Sequence, residues 1–267
     1  MFGVKAFNIQ KISRDSMAKL GFKAAAPVGQ ELDLGAFARN FDHTYLKPTS
    51  GKGEIEQLCQ EAAEHRFAAV CIAPRWVATS ANLLSGLGAN SVRVCTVVGF
   101  PHGNTTSEGK AFETTHAIAG GASEIDMVIS IGDLKDRNER AVEHDIAAVV
   151  EAARLRQAIV KVILETAYLE KDEIILGCGL AVRAGADFVK TSTGFGPGGA
   201  DVDIVRLMRE TVGDTVGVKA AGGVRTLSDA RRMLNAGATR LGCSSSVQIM
   251  HELGDEVATE PHVQSRQ

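Results

Sequence analysis

The chain has 267 residues, 45% of them hydrophobic and 23% charged, with a formal net charge of −3. That length suits one large α/β domain with a sizeable core, and the near-neutral balance argues against nucleic-acid or anionic-membrane partners. No apolar run approaches the roughly 20 residues of a membrane span, and the five cysteines, without metal-ligand spacing, read as free thiols in a reducing, cytoplasmic setting.

Along the chain, residues 1–23 carry Lys5, Lys11, Arg14, Lys19 and Lys23 against Asp15 alone. With one arginine and two serines this stretch is a poor organellar leader. It reads as part of an N-terminal extension over residues 1–37. Short apolar runs follow at residues 67–72, 92–98, 124–129, 158–164, 187–190, 215–219 and 239–242, with a weaker one at 39–42. Helical patterns separate them. Ile55, Leu58, Cys59, Ala62 and Ala63 recur with helical spacing. Thr226 and Asp229 form a capping-box signature ahead of Met233 and Leu234, and Gly237 marks a stop. Strand–helix alternation implies parallel strands with crossover helices, and eight such units imply a closed (β/α)₈ barrel over residues 38–254. Residues 255–267 are left as a tail.

An internal echo supports the barrel. Gly121-Ala122-Ser123-Glu124-Ile125-Asp126, Gly185-Ala186-Asp187-Phe188-Val189-Lys190 and Gly237-Ala238-Thr239-Arg240-Leu241-Gly242 align. Each Gly-Ala is expected to close a helix and lead into strand 4, 6 or 8. Alternate strands share interior layers in such a barrel. Asp126 and Lys190 should therefore point inward at one height, facing the bare position of Gly242. A shared turn alone would explain the glycines but not the two charges.

Lys190 ends one apolar run and enters Thr191-Ser192-Thr193-Gly194; Lys219 ends another and enters Ala220-Ala221-Gly222-Gly223. One such lysine could simply snorkel to solvent. Two, each before a small-residue loop, point to an amine nucleophile tuned by a second cation. Gly222, Gly223 and Arg225 after strand 7, and Gly242, Ser244 and Ser245 at the start of the last helix, form a candidate anion site. Glycines admit backbone N–H donors, and phosphate sites in these barrels often follow strands 7 and 8. The run Gly194-Phe195-Gly196-Pro197-Gly198-Gly199 matches a dinucleotide fingerprint formally. However, Asp214 precedes the next strand and Pro197 removes a donor, so dinucleotide binding is rejected. The histidines form no ligand pair, which argues against a metal-dependent mechanism. His43 and His102 read as polar loop residues, and Cys71 as a small core residue.

The motifs at residues 42–48 (beginning Asp42-His43-Thr44), 70–75, 97–101, 124–128, 161–166, 190–194 and 219–226 together resemble the deoxyribose-phosphate aldolase family, in order over roughly residues 40–250. The resemblance implies a metal-free class I aldolase with no cofactor. Its substrates would be a small phosphosugar and aldehydes: 2-deoxy-D-ribose 5-phosphate, cleaved reversibly to acetaldehyde and D-glyceraldehyde 3-phosphate in deoxyribonucleotide catabolism. It further implies a Schiff base on Lys190, Lys219 beside it, and proton relay by Asp126. The phosphate would be held by Gly194, Gly222, Gly223, Gly242, Ser244 and Ser245, with Arg225 nearby. Asp42 and Lys161 are expected in a supporting network, with Glu165 on the same face as Lys161. A homodimer or higher homo-oligomer is expected. Phe195 stands where some members have a lysine, and residues beyond Gly254 contain no tyrosine.

Lysine ordinarily titrates near 10.4. Desolvation and the Lys219 charge are expected to free the Lys190 amine near neutral pH. A phosphosugar isomerase would share the phosphate loops but use a carboxylate base. A non-catalytic phosphosugar-binding protein would not need the two lysines together.

Overall fold

The computed structural model describes residues 33–154 and 156–259. The expected extension lies outside the described residues up to position 32, as does the expected tail from position 260. Eight parallel strands close on themselves in chain order: β1 (Phe41–Tyr45), β2 (Ala69–Ile72), β3 (Arg93–Val98), β4 (Glu124–Val128), β5 (Ile159–Ile163), β6 (Phe188–Lys190), β7 (Gly217–Ala221) and β8 (Arg240–Cys243). Helices alternate with them, giving the expected (β/α)₈ barrel. A short helix, Leu34–Ala38, precedes β1 and buries Phe37 and Ala38; the last helix, Ser246–Thr259, runs on through residue 254. Among the described residues no helix is long and apolar enough to cross a membrane.

Side-chain alternation along the strands sorts the core into two shells. Val70, Ile72, Ile125, Met127, Val160, Val162, Val189, Val218, Ala220 and Leu241 face outward and join the helices in the large apolar cluster. Burial of each large aliphatic side chain there stabilises the fold by about 1.5–3 kcal/mol. The inner shell has a separate apolar patch, Ala69, Cys71, Cys95 and Val97, and carries most of the buried charged residues of the strands. Cys71 is thus a small buried residue, as expected.

The Gly-Ala turns behave alike. The amides of Ala122, Ala186 and Ala238 return to the carbonyls of Ala117, Ala181 and Met233, each at 3.0 Å. Gly185 adopts φ 86° to make this possible, a conformation that is costly for a residue with a Cβ.

Three local expectations change. The helix Leu34–Ala38 and its cap at Arg39 displace β1 to Phe41–Tyr45. Arg209 Nη1 donates to the carbonyl of Val216 at 2.7 Å, holding the chain in a bend, so β7 starts at Gly217; it then pairs with β8 as far as Ala221, which puts Lys219 in mid-strand rather than at its end. His43 is not a loop residue. It lies on β1, buried, with Nε2 2.7 Å from Glu61 Oε2. Burial pushes its imidazole below the usual value, partly opposed by Glu61. His102 does lie in an exposed turn.

Candidate active site

The inward residues stack as three layers of four from alternate strands, the arrangement general to such barrels. The floor holds Ala69, Glu124, Phe188 and Arg240. The middle holds Asp42, Cys95, Lys161 and Lys219. The upper layer holds Cys71, Asp126, Lys190 and Gly242. Such layers are ordinarily branched aliphatics; here seven of the twelve positions carry formal charge, and all are buried. The upper layer has the composition implied by the repeated sequence. Gly242 leaves the bare position: a Cβ there would lie 2.9 Å from Lys219 Cε, so the glycine makes room for the lysine stem.

Asp126 is the hub. Its Oδ2 accepts from Lys190 Nζ at 2.8 Å and from Lys219 Nζ at 2.6 Å; its Oδ1 accepts from Lys161 Nζ at 2.7 Å and from the Cys95 thiol at 3.2 Å. Asp42 is a second hub, bonded to Lys219 through Oδ2 and to Arg240 Nη1 at 2.6 Å through Oδ1. Lys161 also reaches Glu124 at 2.6 Å and Asp42 at 3.5 Å. Arg240 reaches Glu124 at 3.1 Å, with its guanidinium 5.5 Å from the centre of the Phe188 ring. The structure therefore joins the expected Asp42, Asp126, Lys161, Lys190 and Lys219 in one network. It adds Glu124, Arg240 and Cys95, which the sequence reading had not singled out. Glu165 goes elsewhere. It takes a left-handed backbone at the end of β5 and accepts from the backbone N–H of Thr193 at 3.0 Å and from the Thr193 hydroxyl, fixing the loop after Lys190.

Burial alone would raise the carboxyls of Asp42 and Asp126. For Asp42 the attraction of Arg240, Lys219 and Lys161 outweighs it, and for Asp126 that of Lys161, Lys190 and Lys219, so both lie below the usual carboxylate range. Burial would lower Lys161 and Lys219; Asp126, Asp42 and, for Lys161, Glu124 hold both above the ordinary lysine range. The depressed carboxyls contribute stability above their unfolded values that is lost as pH falls through the folded ones. The raised lysines contribute below their unfolded values and lose it as pH rises through the folded ones. Asp42, Asp126, Lys161 and Lys219 are therefore expected to keep one ionisation state each from about pH 5 to about pH 9.

Cys71 Sγ, Cys95 Sγ and a carboxylate oxygen of Asp126 lie within 4.8 Å of one another, as do ligand atoms of Asp42, Cys95 and Glu124. These carboxylates are already engaged by lysine and arginine cations, whose charge opposes a metal ion.

Loops converge above Lys190. Thr191 Oγ1 accepts from the Ala221 N–H and donates to the Ala221 carbonyl, both at 3.1 Å, tying the end of β6 to the end of β7. Gly222 and Gly223 take φ 86° and 85°, and the Gly222 carbonyl accepts from Ala200 N–H at 2.8 Å. A Cβ on Gly199 would come within 2.3 Å of that carbonyl. Gly194, Gly223, Arg225 and Ser244 are exposed, Gly222 and Ser245 half-buried, and Gly242 lies deeper, inside β8. Among the described residues the buried hydroxyl of Ser192 has no hydrogen-bond partner, and its Cβ is 3.6 Å from the position a Gly222 Cβ would occupy. On the other side, Phe100 after β3 meets Phe195 after β6 edge to face, with ring centres 5.3 Å apart at 86°.

Comparison with known proteins agrees with this architecture. Residues 36–249 match the family described as DeoC/LacD family aldolase. The deoxyribose-phosphate aldolase of Halalkalibacterium halodurans is 55% identical over 216 residues, 81% of this chain and 95% of that protein. Deoxyribose-phosphate aldolase 1 of Bacillus licheniformis is 56% identical over 216 residues, again 81% and 95%. The tetrameric deoxyribose phosphate aldolase of Aeropyrum pernix superposes with a TM-score of 0.76 at 32% identity, covering 82% of this chain and 92% of that one. With an ionic barrel interior of this kind and relatives of this closeness along most of its length, the chain belongs to the deoxyribose-phosphate aldolase family and is an aldolase.

Proposed function

We propose that the enzyme is a class I aldolase that cleaves 2-deoxy-D-ribose 5-phosphate reversibly to acetaldehyde and D-glyceraldehyde 3-phosphate through an imine on Lys190. The observation that carries this reading is the sharing of one carboxylate oxygen, Asp126 Oδ2, by Lys190 and Lys219. Lys190 ends its strand and is 3% exposed, whereas Lys219 is sealed in mid-strand. The neutral Lys190 amine attacks C1 of the open-chain sugar, and loss of water gives a protonated imine. The imine draws electrons from the C2–C3 bond as the C3 hydroxyl gives up its proton. Glyceraldehyde 3-phosphate leaves, and the C2 enamine is protonated and hydrolysed to acetaldehyde. Asp126 is placed to relay these protons through a water. Lys219 remains an ammonium between Asp42 and Asp126 and favours the neutral form of its neighbour. An isomerase would need no second amine, so it leaves the pairing of Lys190 and Lys219 on one carboxylate oxygen unexplained, and Glu165 is turned to Thr193.

The phosphate cradle in this reading is Gly194, Gly222, Gly223, Ser244 and Ser245, with Arg225 at its rim and Gly242 below it. The buried Ser192 hydroxyl lies beside it. Self-association is part of the same proposal, supported by the tetrameric Aeropyrum relative, as are deoxyribonucleotide catabolism and a cytoplasmic location.

Borohydride reduction with acetaldehyde is expected to fix an adduct that peptide mass mapping places on Lys190; an adduct on Lys219 or Lys161 would overturn the assignment. Ser244→Asp is expected to lower kcat/KM for deoxyribose 5-phosphate far more than for unphosphorylated deoxyribose, because the new carboxylate repels the phosphate. Some loss of kcat is allowed, since remote binding energy also assists chemistry. Equal losses on both substrates would move the phosphate elsewhere.

A further inference from the structure

The three interior layers hold four cations, Lys161, Lys190, Lys219 and Arg240, against three carboxylates, Asp42, Glu124 and Asp126. With both interior thiols protonated, the buried cluster has one positive charge too many if every amine is charged. An excess buried charge is costly, and the cheapest relief is loss of one proton. Arginine cannot supply it. Lys161 is clamped by Glu124, Asp126 and Asp42, and Lys219 by Asp42 and Asp126. Lys190 touches a single carboxylate oxygen, already shared with Lys219.

We infer that Arg240, on the barrel floor and separated from Lys190 by the Asp42–Lys219 pair, is a positioning residue for imine chemistry. Its fixed charge occupies Asp42 and keeps the cluster one positive charge in excess, so that Lys190 is the amine that surrenders its proton. This rests on the Schiff-base reading above. The groups that bear on the balance come from every strand: Asp42 on β1, Cys71 on β2, Cys95 and Arg93 on β3, Glu124 and Asp126 on β4, Lys161 on β5, Lys190 on β6, Lys219 on β7 and Arg240 on β8. Asp187, just before β6, accepts from the Val160 N–H. Arg93 stands 3.7 Å from Glu124, but its side chain is 44% exposed, so solvent screens it. Burial raises the Cys95 thiol, which keeps it neutral; Cys71 is lowered chiefly by its hydrogen bond with Cys95.

The test is a set of charge changes read by kcat/KM for retro-aldol cleavage against pH, with borohydride trapping at each pH and a melt of every variant. Arg240→Met brings the cluster to neutrality and is expected to move the rising limb upward. For a charge on the order of 10 Å away at an effective dielectric constant near 20, the shift is about one pH unit. Glu124→Gln adds to the excess and should move the limb downward by a similar amount. The double variant Arg240→Met with Glu124→Gln should return it to the wild-type position, which a merely structural role of Arg240 would not do. Arg240→Lys, which keeps the charge, should leave the limb in place even if the melting temperature falls. If Arg240→Met does not fold, the downward shift in Glu124→Gln and the unmoved limb in Arg240→Lys decide. Limbs that stay put in the folded charge variants, or that move the same way in Arg240→Met and Glu124→Gln, overturn the inference. Wild type that fails to trap on Lys190 overturns the Schiff-base reading as well, whereas trapped wild type with unmoved limbs removes only the role of Arg240.

Discussion

Asp126→Asn is expected to lower turnover by roughly 10²- to 10⁴-fold, the usual worth of a positioned acid or base, while Lys190 can still be trapped by borohydride. The side chain keeps its shape, but one of its two acceptor oxygens becomes an NH₂ donor, so the amines on that side lose their acceptor. What disappears is the charge that pairs them and the site that can hold a proton in transit. The Lys190 amine itself is untouched, so an imine can still form. Steps that move a proton to or from carbon and oxygen lose their relay. The same change leaves buried ammonium groups without a partner, and losses of that kind cost about 3–5 kcal/mol of stability. Assays must therefore run well below the lowered melting temperature. Trapping that persists on Lys190 while turnover collapses is the expected pattern. Turnover within about tenfold of wild type would remove Asp126 from the proton path.

Lys219→Leu is expected to fail differently, with slow imine formation at neutral pH that recovers as the pH is raised. Lys190 and Lys219 contact Asp126 Oδ2 at 2.8 and 2.6 Å, so their nitrogens lie within about 5 Å, worth about 3 kcal/mol of repulsion at an effective dielectric constant near 20. At 1.36 kcal/mol per unit, that repulsion corresponds to an upward move of the rising limb by roughly two pH units. Loss of the ammonium also leaves Asp42 and Asp126 one partner short, and the variant should melt earlier. A pH–rate profile for kcat/KM checks the electrostatic part: an equal loss at all pH values would mean that Lys219 acts by position rather than by charge.

All eight strands were legible because the outward-facing residues form apolar runs against the helices. β1 was blurred because Asp42 points inward and His43 binds Glu61, so polar residues occupy both faces of the strand. Lys190 and Asp126 were legible as charges at equivalent places in the repeated Gly-Ala segments. The floor was present in the same segments two residues earlier, where Glu124, Phe188 and Arg240 align, and it went unread. Residues two apart share a strand face, so the period already placed them under Asp126, Lys190 and Gly242. Glu165 was misassigned for a reason no period contains. Four residues from Lys161 implies one face only while the strand continues, and the left-handed turn at Glu165 ends it. The unpaired hydroxyl of Ser192 depends on how two loops meet, which one sequence does not specify.

The Phe100–Phe195 contact gives the mouth a sidedness. The two rings belong to loops after β3 and β6, so their edge contact passes above the ends of β4 and β5. That half of the rim is roofed by two aromatic side chains, with Phe195 still 49% exposed on its outer surface. The other side, above β7 and β8, is edged by glycines and serines. The doorway to Lys190 is therefore off-centre: in the proposed reaction the phosphate end of the sugar would lie along the small-residue threshold, and the reacting carbons under the eaves.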